Sequence, residues 1–203
     1  MYTVIGTPRS RAFRVIWILE ELAQDYTIDP VAPASQEAFS HHPMGKVPAL
    51  KVGDHVLADS SAILAFLTDS HGAFTHPPGT LARARQDAAT FHVMTEIDAA
   101  LWLKAKHRFA LPEKIRLGEA GEVAAFEFQR AIGVLERMMG SDPFLAGDTP
   151  TVPDFILAHC LNWAKMAKMP TLPNSLESYH ATLLARPAFE AARAKGEAAL
   201  AKP

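Results

Sequence analysis

The chain has 203 residues, a formal net charge of −2 at pH 7 and 21% charged residues. This length suffices for one or two domains with a substantial core, and the near-neutral charge argues against nucleic acid or an anionic membrane as a partner. The single cysteine, Cys160, excludes an intrachain disulfide framework and suits a reducing compartment. Because no secretory signal or apolar run of transmembrane length is visible, we expect a cytoplasmic protein.

The first part of the chain alternates between strand-like and helix-like segments. Strands are predicted at 2–5 and 26–31, with a long apolar helix at 10–23 between them. This helix carries apolar residues on more than one side, which predicts burial on more than one face. A short helix is expected within 34–42.

The stretch 44–67 carries the most specific pattern. Residues 49–52 and 55–58 are two short strand-forming runs around a Gly-Asp turn, and a helix is predicted to begin at Asp59 and Ser60. Asp and Ser are favoured at helix starts because their side-chain oxygens accept hydrogen bonds from the free N–H groups of the first turn. Taken alone, this part of the pattern indicates only a capped helix after a hairpin.

Beyond the His-Pro-Pro-Gly sequence at 76–79, the chain is predicted to be helical. Thr151 and Asp154 have the spacing of a capping box, which we interpret as structural rather than catalytic. Five helices are predicted, at 81–107, 119–139, 151–168, 172–185 and 187–200.

The run from Val47-Pro48 through Asp59-Ser60 resembles the glutathione site of the soluble glutathione S-transferases. In that family a Val-Pro pair leads into a hairpin, and an acidic residue followed by Ser opens the next helix. The segment that begins at Ser10 resembles bacterial and fungal members. The resemblance covers nearly the whole chain and implies an α/β plus all-α fold. Its parts are a thioredoxin-like domain (βαβαββα) at 1–75, a linker at 76–81 and an all-helical domain at 82–203.

The resemblance also implies how glutathione binds. The Pro48 peptide bond is expected to be cis, and the Val47 backbone is expected to pair antiparallel with the cysteinyl residue of glutathione. The N–H and hydroxyl of Ser60 are expected to bind the γ-glutamyl carboxylate, since a helix N-terminus favours anions. Asp59 is expected to meet the ammonium group, through water, because it is one methylene shorter than the family's usual Glu.

Two further residues of the preceding loop are candidates for glutathione binding. Lys46 is expected to bind a glutathione carboxylate and His42 to assist it, the alternative being an exposed, solvated loop. The adjacent His41 and His42 lack a third ligand at a suitable spacing, so no metal site is expected.

The residue that activates the glutathione thiol is predicted to lie in the loop before the first helix. Ser10 is the first candidate, because a hydroxyl at a helix N-terminus can donate to a thiolate. The spacing from Ser10 to the following Arg-Val pair differs by one residue from that in the classes of the family whose Ser is catalytic. On the family's spacing the resemblance implies Arg9 at that position, and Thr7 is a further alternative. Against all three stands the interpretation that Ser10 only caps its helix.

The resemblance implies a detoxifying enzyme in which the glutathione thiolate attacks a small hydrophobic electrophile, without a metal, in a homodimer. The alternatives are a non-catalytic relative that binds or regulates, or a glutathione-dependent reductase, peroxidase or isomerase. Residues of the first long helix are candidates for the electrophile site: Leu101, Trp102, Ala105 and Arg108.

Overall fold

The computed structural model describes residues 1–201. Its first part contains strands β1 (Tyr2–Ile5), β2 (Tyr26–Asp29), β3 (Ala49–Val52) and β4 (His55–Ala58), with helices α1 (Ala12–Glu21), α2 (Gln36–His41) and α3 (Ser60–His71). The remainder contains helices α4 (Leu81–His92), α5 (Ala99–Ala105), α6 (Ala120–Met139), α7 (Val152–Met166), α8 (Asn174–Leu184) and α9 (Pro187–Leu200). The predicted fold class, a thioredoxin-like βαβαββα part followed by helices, is confirmed.

The chain packs as two compact units. One consists of Met1–Thr75 together with the C-terminal segment that begins at Leu183, and the other is His76–Thr182. In the packing, the last helix therefore groups with the first unit, although its place in the sequence lies within the predicted helical domain at 82–203. The predicted domain boundaries themselves stay a prediction.

The sheet of the first unit has the strand order β2-β1-β3-β4. Strand β1 is parallel to β2 and antiparallel to β3, and β3 and β4 form the predicted hairpin. The register pairs Ile5 with Ala49. The loop after β1 and the residues just before β3 therefore meet at the same end of the sheet.

Helix α1 is buried on several sides, as its composition predicts. Residues Val15 to Leu19 are fully buried, and the helix packs against α3 and α9 within the first unit. The Phe189 ring of α9 lies 5.5 Å from the Phe13 ring and 5.0 Å from the Trp17 ring, between centroids. These edge-on aromatic contacts fix the last helix to α1.

An ion pair strengthens this attachment. The Arg186 guanidinium donates two hydrogen bonds of 2.6 Å to the Glu21 carboxylate, which also accepts from the Trp17 indole N–H at 3.0 Å. A two-pronged Arg–carboxylate contact combines charge with fixed geometry, so it holds α9 in one orientation on α1.

Several element boundaries differ from the sequence-based prediction. Helix α1 begins at Ala12, because Ser10 belongs to the turn before it, and β2 ends at Asp29, just before a proline that has no N–H to donate. The predicted helix at 81–107 continues to Ala110 but contains two π-helical turns, Val93–Asp98 and Lys106–Ala110.

The second unit is organised around the buried helix α7. The predicted capping box is present: the Asp154 carboxylate accepts from the Thr151 N–H at 2.7 Å. Cys160 of the same helix is buried, and its thiol donates to Asp98 at 3.7 Å. None of the helices within residues 1–201 has the length and apolar character needed to cross a membrane.

Candidate functional site

The loop between β1 and α1 lies against the Val47-Pro48 segment. Gly6 has φ = 138°, and a Cβ at this position would lie 2.9 Å from the Val47 Cβ and 3.2 Å from the Ala12 Cβ. Only glycine allows this close approach with this backbone conformation. The next residue, Thr7, donates its N–H to the Val31 carbonyl at 2.9 Å, which anchors the loop.

The Val47–Pro48 peptide bond is cis, as the resemblance implies. The Val47 side chain packs on a buried cluster formed by Ile5, Val31, Ala38 and Ala49. Within residues 1–201, neither the N–H nor the C=O of Val47 forms a hydrogen bond. Because backbone groups of folded proteins are nearly always paired or solvated, these two are available to an added extended peptide.

Helix α3 begins from a strained residue. Asp59 has φ = 73° and ψ = 122°, a conformation that L-residues rarely adopt. Its Oδ1 accepts hydrogen bonds from the Ser61 N–H at 2.9 Å, from the Ala62 N–H at 3.3 Å and from the Ser61 hydroxyl. Partial burial raises the pKa of Asp59, but these bonds and the Arg14 charge outweigh it and leave the pKa below its ordinary value. The carboxylate is therefore charged at neutral pH.

Ser60 is the first residue of α3 and is 2% exposed. Its hydroxyl oxygen accepts a hydrogen bond of 3.2 Å from Arg14 Nη1, whereas its N–H has no acceptor in the part of the chain that the structure describes. An open N–H at a helix start, next to a hydroxyl, is suited to bind a carboxylate.

The three candidates for thiol activation lie in one turn before α1. The Ser10 hydroxyl donates to the Thr7 carbonyl at 2.7 Å and accepts from the Ala12 N–H at 3.1 Å. Arg9 is exposed, and its guanidinium lies 3.9 Å from the Glu197 carboxylate. The bond from Ala12 is the contact expected if Ser10 caps α1. Catalysis by Ser10, Thr7 or Arg9 therefore stays a prediction.

The two loop candidates differ in their surroundings. Lys46 is exposed, whereas His42 is half-buried and its Nδ1 accepts from the Met44 N–H at 3.0 Å. Their contacts with glutathione stay predictions. Among residues 1–201, no group of three metal-binding side chains comes together, at the adjacent histidines or elsewhere.

The electrophile-site candidates all belong to the second unit. Leu101 and Ala105 are buried, Trp102 is half-buried and Arg108 is exposed. Of the four, Trp102 and Arg108 offer the most accessible surface. The assignment of an electrophile site to these residues stays a prediction.

Sequence reasoning missed Arg14, the buried partner of Ser60. The signal was present: Arg14 stands within an apolar run that is otherwise buried, and arginine is almost never fully buried unless it is paired. A cation at that position predicts a hidden polar partner. The sequence alone does not name the partner, since Ser60 lies 46 residues further along the chain.

Comparison with known proteins identifies the family of the chain. Residues 9–70 match the family model of the glutathione S-transferase N-terminal domain, and residues 127–194 match that of the C-terminal domain. The chain is also similar to Glutathione S-transferase 3 of Zea mays, with 27% identity over 205 residues that cover 91% of this chain and 90% of the relative.

Solved structures share the fold of the chain. A glutathione transferase from Methylococcus capsulatus str. Bath superimposes with a TM-score of 0.83 and 25% identity, over 97% of this chain and 99% of that one. A sphingomonad glutathione S-transferase complexed with glutathione has a TM-score of 0.80 and 23% identity, over 96% and 98% of the two chains. With both family domains matched and the fold shared along nearly its full length, the chain belongs to the glutathione S-transferase family.

Proposed function

We propose that the protein is a glutathione transferase, which binds glutathione on its first unit and promotes attack of the thiolate on a small hydrophobic electrophile. One observation carries the proposal. The backbone groups of Val47 and the N–H of Ser60, which the family resemblance assigns to the tripeptide, have no hydrogen-bond partners within residues 1–201. An extended peptide and its carboxylate would satisfy all of them.

The start of α3 supports recognition of the γ-glutamyl end. The Ser60 N–H and hydroxyl would bind its carboxylate, aided by the helix dipole. The hydrogen bonds that Asp59 accepts within the described chain all end on Oδ1, so Oδ2 would meet the ammonium group, directly or through water. The strained backbone of Asp59 is of the kind that concentrates at ligand-binding positions.

The reaction needs glutathione as thiolate. A free thiol has a pKa of about 8.5, so a donor directed at the sulfur is required at neutral pH. Ser10 remains the first candidate, and its hydroxyl would turn from the Thr7 carbonyl to the sulfur. The thiol proton goes to solvent, the sulfur forms a bond to the electrophilic carbon, and the leaving group departs or the electrophile takes up a proton. Thr7 and Arg9 are the alternative donors.

The remaining features of the proposal rest on the second unit. The electrophile would contact Trp102 and Arg108 first, with Leu101 and Ala105 behind them. A homodimer is proposed from the family and from two exposed aromatic side chains on α4 and α6, Phe91 and Phe126, which are 65% and 69% exposed. A cytoplasmic location, with Cys160 reduced, completes the proposal.

Two measurements test this function. The purified protein is applied to immobilised glutathione, and turnover is then followed with glutathione and an activated aryl chloride. We expect retention that free glutathione reverses, and a conjugation rate that saturates in glutathione. A protein that neither binds glutathione nor turns over the aryl chloride would contradict the proposal.

A second candidate function is a non-catalytic glutathione-binding protein. It is favoured by the Ser10 hydroxyl, whose single hydrogen is donated to the Thr7 carbonyl inside the turn. Retention on immobilised glutathione without turnover of aryl chlorides, disulfides, peroxides or isomerisable substrates would support it. Turnover of a disulfide, a peroxide or an isomerisable substrate alone would indicate a reductase, a peroxidase or an isomerase that uses the same thiolate.

A further inference from the structure

Arg14 is a charged side chain without any solvent exposure, in the first turn of the buried helix α1. A guanidinium in the core is costly unless hydrogen bonds and charge compensate it. Its Nη1 donates to the Ser60 hydroxyl oxygen at 3.2 Å, and its positive charge also acts on the neighbouring Asp59 carboxylate. The cation thus stands directly behind the residue that is proposed to bind the ligand carboxylate.

The chemistry of the hydroxyl gives this contact a direction. A serine hydroxyl has one hydrogen to donate and two lone pairs that accept. Arg14 can only donate, so it occupies a lone pair of Ser60 and leaves the hydrogen for another acceptor. In the described part of the chain, Ser60 Oγ donates to no group. Its hydrogen is therefore available to an incoming oxygen, and the adjacent cation strengthens the hydroxyl as a donor.

We infer that Arg14 is a positioning residue for glutathione binding: it holds the Ser60 hydroxyl as a donor toward the γ-glutamyl carboxylate and places a positive charge behind it. This inference rests on the proposed function. It differs from a purely structural role, in which Arg14 only ties α1 to the start of α3. If Arg14 had only a structural role, its substitution would lower stability and would affect binding equally, whether or not the ligand carries the γ-glutamyl carboxylate.

The test uses the full chain and two ligands. One is glutathione, and the other is 4-aminobutyryl-cysteinylglycine, which has the same backbone but lacks the γ-glutamyl α-carboxylate. Dissociation constants are measured by calorimetry for wild type, Arg14→Met, Arg14→Lys, Ser60→Ala and the double variant Arg14→Met/Ser60→Ala. Circular dichroism establishes that each variant is folded before it is titrated.

We expect Arg14→Met to weaken glutathione binding about tenfold or more, because a charge-assisted donor is lost, and to leave binding of the analogue within about twofold. In the Ser60→Ala background the same substitution should cost clearly less glutathione affinity than it does in wild type, because only the contribution of the charge then remains. The rate at saturating glutathione should change little, since Arg14 acts on the γ-glutamyl end. Where Arg14→Met does not fold, Arg14→Lys decides: it keeps the charge but not the planar fork, so a partial loss confined to glutathione is expected.

Equal losses for the two ligands, or losses that add in the double variant, would overturn the inference and leave Arg14 with a structural role. A wild-type protein that binds no glutathione would overturn the proposed function together with this inference. Wild-type binding combined with additive losses overturns the inference alone, so the two failures are distinguishable.

Discussion

Helices α3 and α7 begin with the same kinds of residues but use them differently. Helix α3 opens with Asp59 and Ser60, and α7 opens with Thr151 and Asp154. At α7 the carboxylate is fully buried and accepts four hydrogen bonds: from the Leu145 N–H at 2.9 Å, the Tyr179 hydroxyl at 2.6 Å, and the Thr151 N–H and hydroxyl at 2.7 and 3.2 Å. At α3, the hydrogen bonds that the exposed Asp59 carboxylate accepts from residues 1–201 all come from its own first turn.

The electrostatics of the two carboxylates diverge accordingly. Burial raises the pKa of Asp154 above its ordinary value, although its four donors oppose that shift. The pKa of Asp59 lies below its ordinary value, because its hydrogen bonds and the Arg14 charge outweigh partial burial. Helix-start groups that are satisfied by the protein stabilise the fold, whereas groups left open at a charged, accessible helix start are suited to a ligand.

The largest predicted effect concerns the start of α7, where the protein itself supplies all the hydrogen bonds to the Asp154 carboxylate that are described above. Asp154→Ala should lower the free energy of unfolding by about 3–5 kcal/mol, because several buried donors lose their acceptor at once. Asp59→Ala, the matched substitution at α3, should cost only about 1 kcal/mol as a lost cap. Urea unfolding of both variants measures the difference. Equal losses of unfolding free energy at the two positions would contradict the distinction between a stabilising carboxylate at α7 and a ligand-binding one at α3.

The second prediction concerns a third helix start, that of α1. If the Ser10 hydroxyl donates to the sulfur, Ser10→Ala should raise the pKa of bound glutathione by roughly one to two units and slow the reaction at neutral pH about ten- to hundredfold. Ultraviolet titration of the thiolate in the binary complex measures the pKa, with Ser10→Thr as the control that keeps a hydroxyl. A shift in Thr7→Ala or Arg9→Ala but none in Ser10→Ala would move the role to that neighbour.

The third prediction separates the ligand role of α3 from its structural role. Ser60→Ala should weaken glutathione binding by about 1–3 kcal/mol, because a charge-assisted hydrogen bond to the carboxylate is lost. Thr151→Ala, which removes the corresponding hydroxyl from α7, should leave glutathione affinity unchanged while it lowers stability. Calorimetric titration of both variants is the measurement. Unchanged affinity in Ser60→Ala would mean that backbone N–H groups suffice or that the carboxylate binds elsewhere.

The sequence allowed prediction of features that are local in the chain. The βαβαββα order, the hairpin after Pro48 and the capping box at Thr151 each depend on residues a few positions apart, and each is present. Features that join distant segments were not predictable. Arg14 reaches Ser60, and Glu21 pairs with Arg186 over a separation of 165 residues. Such contacts depend on packing, for which a single sequence gives no distance information.

The smallest predicted effect is the opposite pH dependence of the two carboxylates. Because the folded-state pKa of Asp59 is lowered, its contribution to stability is complete above the unfolded value of about 3.9 and is lost as the pH falls through the folded value. Because the folded-state pKa of Asp154 is raised, its contribution is present below about 3.9 and is lost as the pH rises through the folded value.

Asp59→Asn and Asp154→Asn each remove one titrating group. For each variant and wild type, the slope of the unfolding free energy against pH is compared. Because a pH-independent cost of the substitution does not change this slope, it cancels from the comparison. Near and below about pH 4, Asp59→Asn should make stability rise less steeply with pH than in wild type, and above about pH 4, Asp154→Asn should make it rise more steeply. Urea unfolding at several pH values supplies the slopes. If both substitutions change the slope in the same direction, the pKa values of the two carboxylates are shifted in the same direction. The electrostatic difference between the start of α7 and the start of α3 would then be contradicted.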